Sequence, residues 1–373
     1  MKLQRLKVSA IKRHRTIRRY ALPSLCMTIF NVLKAATGRC QHYSYCLFLL
    51  GIALIQSPSW AAPPIHPLST TNLSPVSLIQ GLPPSHGAAV ATPGDWQTSI
   101  DYSHANNFTH NSTANEQVFL DGATTRVALS VKTGLFADTD MELMVPFIKH
   151  YNGSLDSFIE NWHDFFNLPQ NGRKQWPRDQ LLYMYKRNNV TQLEINEPVS
   201  GIGDARLTLG FKLNRHWFPR QKRLALKTAI KFPTGDAPKL TGSGGYGIFA
   251  WLTGDSATQW FQFPGLTYYR AGIAWLQDGD VMEDQQRPFA AFGGIGTGAR
   301  FSERIVLQLQ LDTHTSLYRD SSFNEINQYA LMFTMGGNLK LTNSWNLDIA
   351  VVEDLYAHTA PDVVFQLKLN GRL

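Results

Sequence analysis

Ile305-Val306-Leu307-Gln308-Leu309-Gln310-Leu311-Asp312 places large aliphatic side chains at every odd position and, from Gln308 on, polar ones at every even position. Successive side chains of a strand point to opposite faces, so this octet reads as a strand with one apolar and one polar face. The same period recurs elsewhere. Leu207, Leu209, Phe211 and Leu213 alternate with Arg206, Thr208, Gly210 and Lys212. Leu224, Leu226, Ile230 and Phe232 oppose Lys227 and Lys231, and Val363, Phe365, Leu367 and Leu369 oppose Gln366, Lys368 and Asn370. The pattern predicts twelve strands, near 96–104, 117–133, 141–151, 203–213, 223–233, 245–253, 258–275, 287–300, 304–317, 326–341, 345–354 and 362–371.

A soluble β-sandwich alternates in the same way, so the connections carry the distinction. Short links at 135–140, 302–304 and 342–344 are interspersed with longer polar ones at 104–117, 152–202, 234–244, 277–286, 318–326 and 355–361. Alternating short turns and long loops, with an even strand count, belong to outer-membrane barrels. Aromatics near strand ends, among them Trp96, Tyr102, Tyr151, Trp260, Trp275 and Tyr329, suit two interfacial girdles. The expectation is an all-β, antiparallel up-and-down transmembrane β-barrel of about twelve strands over residues 95–373.

Charge is divided unevenly along the chain. Its formal net charge is +7, yet residues 1–61 carry ten of the 35 Lys and Arg and no acidic residue, leaving 25 basic against 28 acidic side chains afterwards. Cys26, Cys40 and Cys46, the three cysteines, lie in the same stretch. Tyr43–Ile55 is an apolar run too short to span a bilayer as a helix, which takes ~20 residues. Ser59-Trp60-Ala61 follows it with small residues at the cleavage positions, so residues 1–61 read as a cleavable signal peptide, with Met1 and Met27 both open as starts. Export to the bacterial outer membrane follows. A disulfide-bonded or cysteine-ligated mature protein, and nucleic-acid binding through a basic surface, do not fit this distribution. Residues 62–94 hold seven prolines and no sustained period, which suggests an extended periplasm-facing segment.

Candidate functional residues follow from the assigned faces. With the apolar face on lipid, Arg126, Arg206, Lys212, Lys227, Lys231, Gln308 and Gln310 point into the lumen. They either line a path for polar, including anionic, solutes or pair with Asp101, Glu142 and Asp348 in a filled interior. Asp312, His314 and Ser316 share one strand face, and a Ser–His pair with a nearby acid is the minimal arrangement of a serine hydrolase. Three residues in line along a strand set Asp and Ser on opposite sides of His, and a lumen hydrogen-bond network is the plainer reading. The glycine clusters 242–247 and 293–298 lack the Lys-Ser/Thr and following helix of a phosphate loop, and read as bends or close backbone approaches. No histidine pair has ligand spacing, so neither a metal nor a cofactor is expected.

Residues 154–168 interrupt the strand pattern. Leu155, Phe158, Ile159, Trp162 and Phe166 recur at three- and four-residue steps, which predicts an amphipathic helix in the longest extracellular loop, N-capped by Ser154. Its apolar face must pack on the rim, rest on the outer leaflet or act as a lid over the lumen.

Several stretches resemble a proteobacterial barrel family, the domain of unknown function 3187, across roughly residues 68–370. They are Asn72-Leu73-Ser74-Pro75 with Gly81-Leu82-Pro83, Gly134-Leu135-Phe136-Ala137-Asp138, Glu142-Leu143-Met144-Val145-Pro146-Phe147 and Leu155-Asp156-Ser157-Phe158-Ile159-Glu160 with His163. Gly201-Ile202-Gly203-Asp204, Phe232-Pro233-Thr234-Gly235 and Leu311-Asp312-Thr313-His314 complete the set. The last three are also similar to the phenol-degradation MetA-pathway barrels. The resemblance implies a barrel and no particular reaction. The partners expected are outer-membrane lipid and lipopolysaccharide, the barrel-assembly machinery during biogenesis, and a small-molecule solute. A narrow channel or carrier, an envelope-lipid hydrolase and a structural barrel remain the three classes of function.

Overall fold

A computed structural model describes residues 64–166, 172–213, 223–356 and 359–373; the expected signal peptide lies outside them. Among the described residues fifteen strands form in chain order. β1 (Trp96–Ser112), β2 (Glu116–Phe136) and β3 (Thr139–Tyr151) open the barrel. β4 (Leu182–Arg187), β5 (Val190–Ile195) and β6 (Val199–Ile202) are short. β7 (Ala205–Lys212), β8 (Arg223–Phe232), β9 (Gly247–Trp260), β10 (Phe263–Leu276) and β11 (Phe289–Arg300) follow. β12 (Ile305–His314), β13 (Ala330–Lys340), β14 (Trp345–Tyr356) and β15 (Val363–Arg372) finish the chain.

Twelve of them close a ring, β1-β2-β3-β7-β8-β9-β10-β11-β12-β13-β14-β15, with every neighbour antiparallel and β15 returning to β1. The three extra strands all lie at the long-loop end. β4 and β5 form a hairpin that extends the wall on β2, and β6 pairs with the end of β3 and continues into β7 across Gly203-Asp204. The segment 104–117, expected as a loop, is instead ladder: Asn111 still opposes Val118, and only residues 113–115 turn. Likewise β9 runs on to Trp260, because the reversal sits at Phe261 with φ 53°.

The faces are as the alternation requires. Leu307 and Leu309 are 54% and 46% exposed on the outside, whereas Gln308 and Gln310 are 2% exposed inside. Ile273, Ile295, Ile349 and Leu367 extend the same exposed apolar band around the ring. An apolar exterior around a polar interior is the inverse of a soluble fold and suits a barrel wall in hydrocarbon.

The sequence predicts an extended, periplasm-facing segment over 62–94, and residues 64–92 depart from that placement. They are extended, but they thread the interior. One leg rises from Ile65, packed on Leu266, Tyr268 and Val306 near the short-turn end, to Asn72, which donates to Thr359 O at the loop end. A single helical turn, Pro75–Leu78, forms the apex. The second leg descends through Pro83 and His86 to Ala91, whose amide donates to Asp140, and Pro93 bridges to Gly134 beside the first turn. Glycines make room for this insert: a Cβ at Gly298 would sit 2.7 Å from Ile65. That explains part of the second glycine cluster.

The loop end is roofed by one apolar cluster. Val76 and Ile79 of the apex pack with Tyr183 and Tyr185 of β4, Leu240, Met282, Leu317, Tyr318 and Phe323 from the loops, and Trp251 from the wall.

The predicted helix exists as Asp156–Phe166, with Ile159 N donating to Leu155 O. The first helical bond is thus accepted by Leu155, not Ser154. Of the three placements expected for it, the described contacts favour packing at the rim. Phe158 packs on Phe365, with ring centroids 6.0 Å apart, and Phe365 alternates with the inward-facing Gln366. Arg173 lies over the Phe108 ring and bonds Asn106, Asp156 and Asp362. The helix therefore covers the outer flank of β1 and β15, while β4 of the same loop contributes to the roof. Ile159 is buried, Leu155 half-buried, and the side chains of Trp162 and Phe166 lie outside what is described.

Candidate functional site

The insert is held by side chains of the wall, and its main chain is not part of the sheet. On the ascending leg, Leu68 exchanges two bonds with the Gln310 amide, Oε1 accepting from its N–H at 3.0 Å and Nε2 donating to its carbonyl at 3.0 Å. Thr70 Oγ1 lies 2.8 Å from Thr334 Oγ1, and Gln366 Nε2 donates to Ser69 O at 2.6 Å. His66 meets Asp348 at 3.1 Å.

On the descending leg the wall presents cations. Lys231 Nζ donates to Ile79 O at 3.2 Å, Arg206 Nη1 reaches Gly81 O at 3.5 Å, and Arg270 Nη1 donates to Pro83 O at 2.6 Å. Ile79 closes the apical turn in the right-handed region and Gly81 is left-handed, and through that turn residues 79, 81 and 83 present three oxygens to one charged wall. Gly81 has φ +66°, and a Cβ there would stand 2.5 Å from Lys231 Cδ. Only glycine satisfies both the left-handed backbone and this approach. Below, Ser85 donates to Asp312 at 2.7 Å, Thr253 donates to His86 O, and His86 faces Glu142 at 3.5 Å.

Most of these cations have their own carboxylates. Lys231 pairs with Asp204 at 2.7 Å, Arg270 with Asp312 at 2.9 Å and Lys227 with Asp140 at 3.6 Å. The residues of two resembling stretches build the Lys231 seat. Asp204 accepts from Gly235 N and Ser243 N, while Thr234 Oγ1 donates to Gly203 O.

Six of the seven lumen residues expected from sequence, Arg126, Arg206, Lys227, Lys231, Gln308 and Gln310, are buried inside the barrel. Lys212 is not: it lies exposed at the turn end, paired with Asp138 at 2.7 Å. It alternates correctly, but β7 ends there, so its stem leaves the wall. Asp101, Glu142 and Asp348, expected as partners of the wall cations, instead meet Gln366, His86 and His66. Arg270 was missed because its segment, with two tyrosines and a small-residue run, shows weak alternation.

Asp312, His314 and Ser316 do not assemble a nucleophilic site. Asp312 is engaged by Arg270, Ser85 and Gln310. His314 Nδ1 lies 2.9 Å from Thr315 O, which can only accept, so Nδ1 carries the proton and Nε2 accepts from Asn72 at 3.0 Å. Ser316 Oγ donates to Tyr318 O at 2.5 Å. Each group serves the insert or a loop. Among the described residues no cluster of His, Cys, Asp and Glu has the grouping of a metal site.

The family model for a protein of unknown function, DUF3187, matches residues 46–373. The chain belongs to the DUF3187 family. Its barrel is similar to the COG4313 outer membrane channel from Pseudomonas putida F1, at 12% identity and a TM-score of 0.50, over 76% of this chain and 97% of that one. The NanC porin matches at 8% identity and a TM-score of 0.38, over 74% and 97% of the two chains. The toluene transporter TodX of Pseudomonas putida matches at 9% and 0.32, over 84% and 95%. At 12% identity the likeness to the COG4313 channel speaks to the fold alone. No curated protein matches the chain in sequence.

Proposed function

We propose that this DUF3187 barrel is a small-molecule channel of the bacterial outer membrane, closed in this structure by residues 64–92, with the short turns on the periplasmic side. The carrying observation is the chemistry of the wall behind the insert. Arg126, Arg206, Lys227, Lys231, Gln308, Gln310 and Asp312 form a surface whose natural alternative partner is water. A permanently filled core would do better with apolar side chains, because buried charges are expensive to desolvate and are often replaceable by apolar residues at no loss of stability. The insert is held by discrete side-chain bonds and by the apolar packing of its apex, not by a continuous backbone ladder, so its release would break no strand pairing. Its descending leg enters β1 directly, which keeps it tethered at the turn end. The COG4313 protein of matching fold is an outer membrane channel.

A reversible lock tests this. Thr70 and Thr334 touch through their hydroxyls, and the chain's own cysteines precede the expected cleavage site. The double variant Thr70→Cys/Thr334→Cys, oxidised, should show no conductance in planar bilayers, and reduction should restore that of the parent. A locked protein that conducts as well as the reduced one would mean that the insert does not close the path. A parent silent in both states would support a structural barrel.

A further inference from the structure

Two buried arginines on the wall have no carboxylate of their own. Arg126 on β2 and Arg206 on β7 flank Met144 of β3: Arg126 Nη2 lies 3.5 Å from Met144 Sδ, and Met144 is the backbone register partner of Arg206. They are 4% and 3% exposed. Among the described residues neither has an acidic oxygen within 4.0 Å, whereas Lys227, Lys231 and Arg270 on the same wall each have one. Arg206 Nε has no hydrogen-bond partner, and the bond of its Nη1 to Gly81 O is long, 3.5 Å. Glu142 acts on Arg206 and Asp101 on Arg126 through space, but neither acid is close enough to pair, and the nearby Arg270 is taken up by Asp312.

Buried charge of one sign without a counterion is costly, and a backbone carbonyl compensates it only in part. A guanidinium fork is matched by the two oxygens of a carboxylate, which a carbonyl, a hydroxyl or a chloride ion cannot reproduce. We propose that Arg126 and Arg206 form the binding site for a carboxylate group on the solute that passes through the lumen. In the closed state Gly81 O stands where one carboxylate oxygen would bind, and the solute enters by displacing it. This deepens the channel reading by naming its solute class. Neutral solutes would leave the two arginines as uncompensated as the closed state does.

Amide hydrogen exchange across residues 79–85 of the full mature chain in detergent tests the site without requiring conduction. The probes are potassium acetate, potassium chloride at equal ionic strength, and acetamide, the neutral analogue of acetate. Acetate should raise exchange there at least about threefold over chloride and acetamide. Arg126→Gln and Arg206→Gln should abolish the difference, and Lys212→Gln, at the rim, should leave it intact. In bilayers, the permeability of acetate relative to potassium should fall about tenfold in the Arg126→Gln/Arg206→Gln double variant. An equal response to acetamide or chloride in the parent would overturn the assignment without any variant, as would an acetate response that survives loss of both arginines. A parent that responds to acetate yet never conducts keeps the site and removes the channel; one that conducts without preferring acetate does the reverse.

Discussion

Gly81→Ala should open the barrel without weakening it. The residue sits at φ +66°, where an L side chain costs roughly 1–2 kcal/mol. Its new methyl would also stand 2.5 Å from Lys231 Cδ. The lysine stem cannot swing aside cheaply, because its Nζ is fixed by Asp204 at 2.7 Å, Ser243 at 2.5 Å and Ile79 O at 3.2 Å. The insert must move instead, and that shifts the seated–unseated equilibrium by at least the backbone term. Since 1.4 kcal/mol is a factor of ten, the open fraction should rise about tenfold or more. Gly81 belongs to no strand, so heat-modifiable migration of the folded barrel should match the parent. Single-channel recordings give the open fraction, and hydrogen exchange over residues 64–92 reports the seat. Faster exchange in the insert with unchanged open fraction would refute the reasoning, since the insert would then be loose and still not the barrier.

Asp312→Asn should loosen both legs at once, because Asp312 holds Ser85, Gln310 and Arg270; breaking such a buried pair costs about 3–5 kcal/mol, read as a lower urea midpoint and faster exchange in the insert. Leu309→Arg, on the exposed apolar band, should impair membrane insertion by ~2–4 kcal/mol, and normal insertion yields from vesicle assembly assays would contradict the assigned faces. Deleting residues 154–168 should leave conductance unchanged, because that helix lies against the outer side of β15; a rise in conductance would return it to the mouth.

The strand period, the direction of the apolar face and the ring of twelve were all legible in sequence. Each depends on side chains adjacent along the chain, and the octet 305–312 displays its two faces before any partner is known. The lumen positions Arg126, Arg206, Lys227, Lys231, Gln308 and Gln310 follow from that alternation alone. The end of β7, and so the exposure of Lys212, does not: where a strand leaves the wall depends on its neighbours. The helix 156–166 was readable from its period, but a period says which face is apolar and not what covers it, and the tertiary structure turned that face to the flank. The insert was the largest difference. Residues 62–94 have prolines and no periodicity, which suits any extended chain, in water or in a barrel. Their one local clue was the absence of any Asp, Glu, Lys or Arg, unusual for a segment bathed in solvent. Only the closed ring gives that clue its meaning. Its charged wall needs carbonyls and hydroxyls close at hand, and contacts such as Leu68 with Gln310 or Ser69 with Gln366 join residues more than 240 positions apart, beyond the reach of any local pattern.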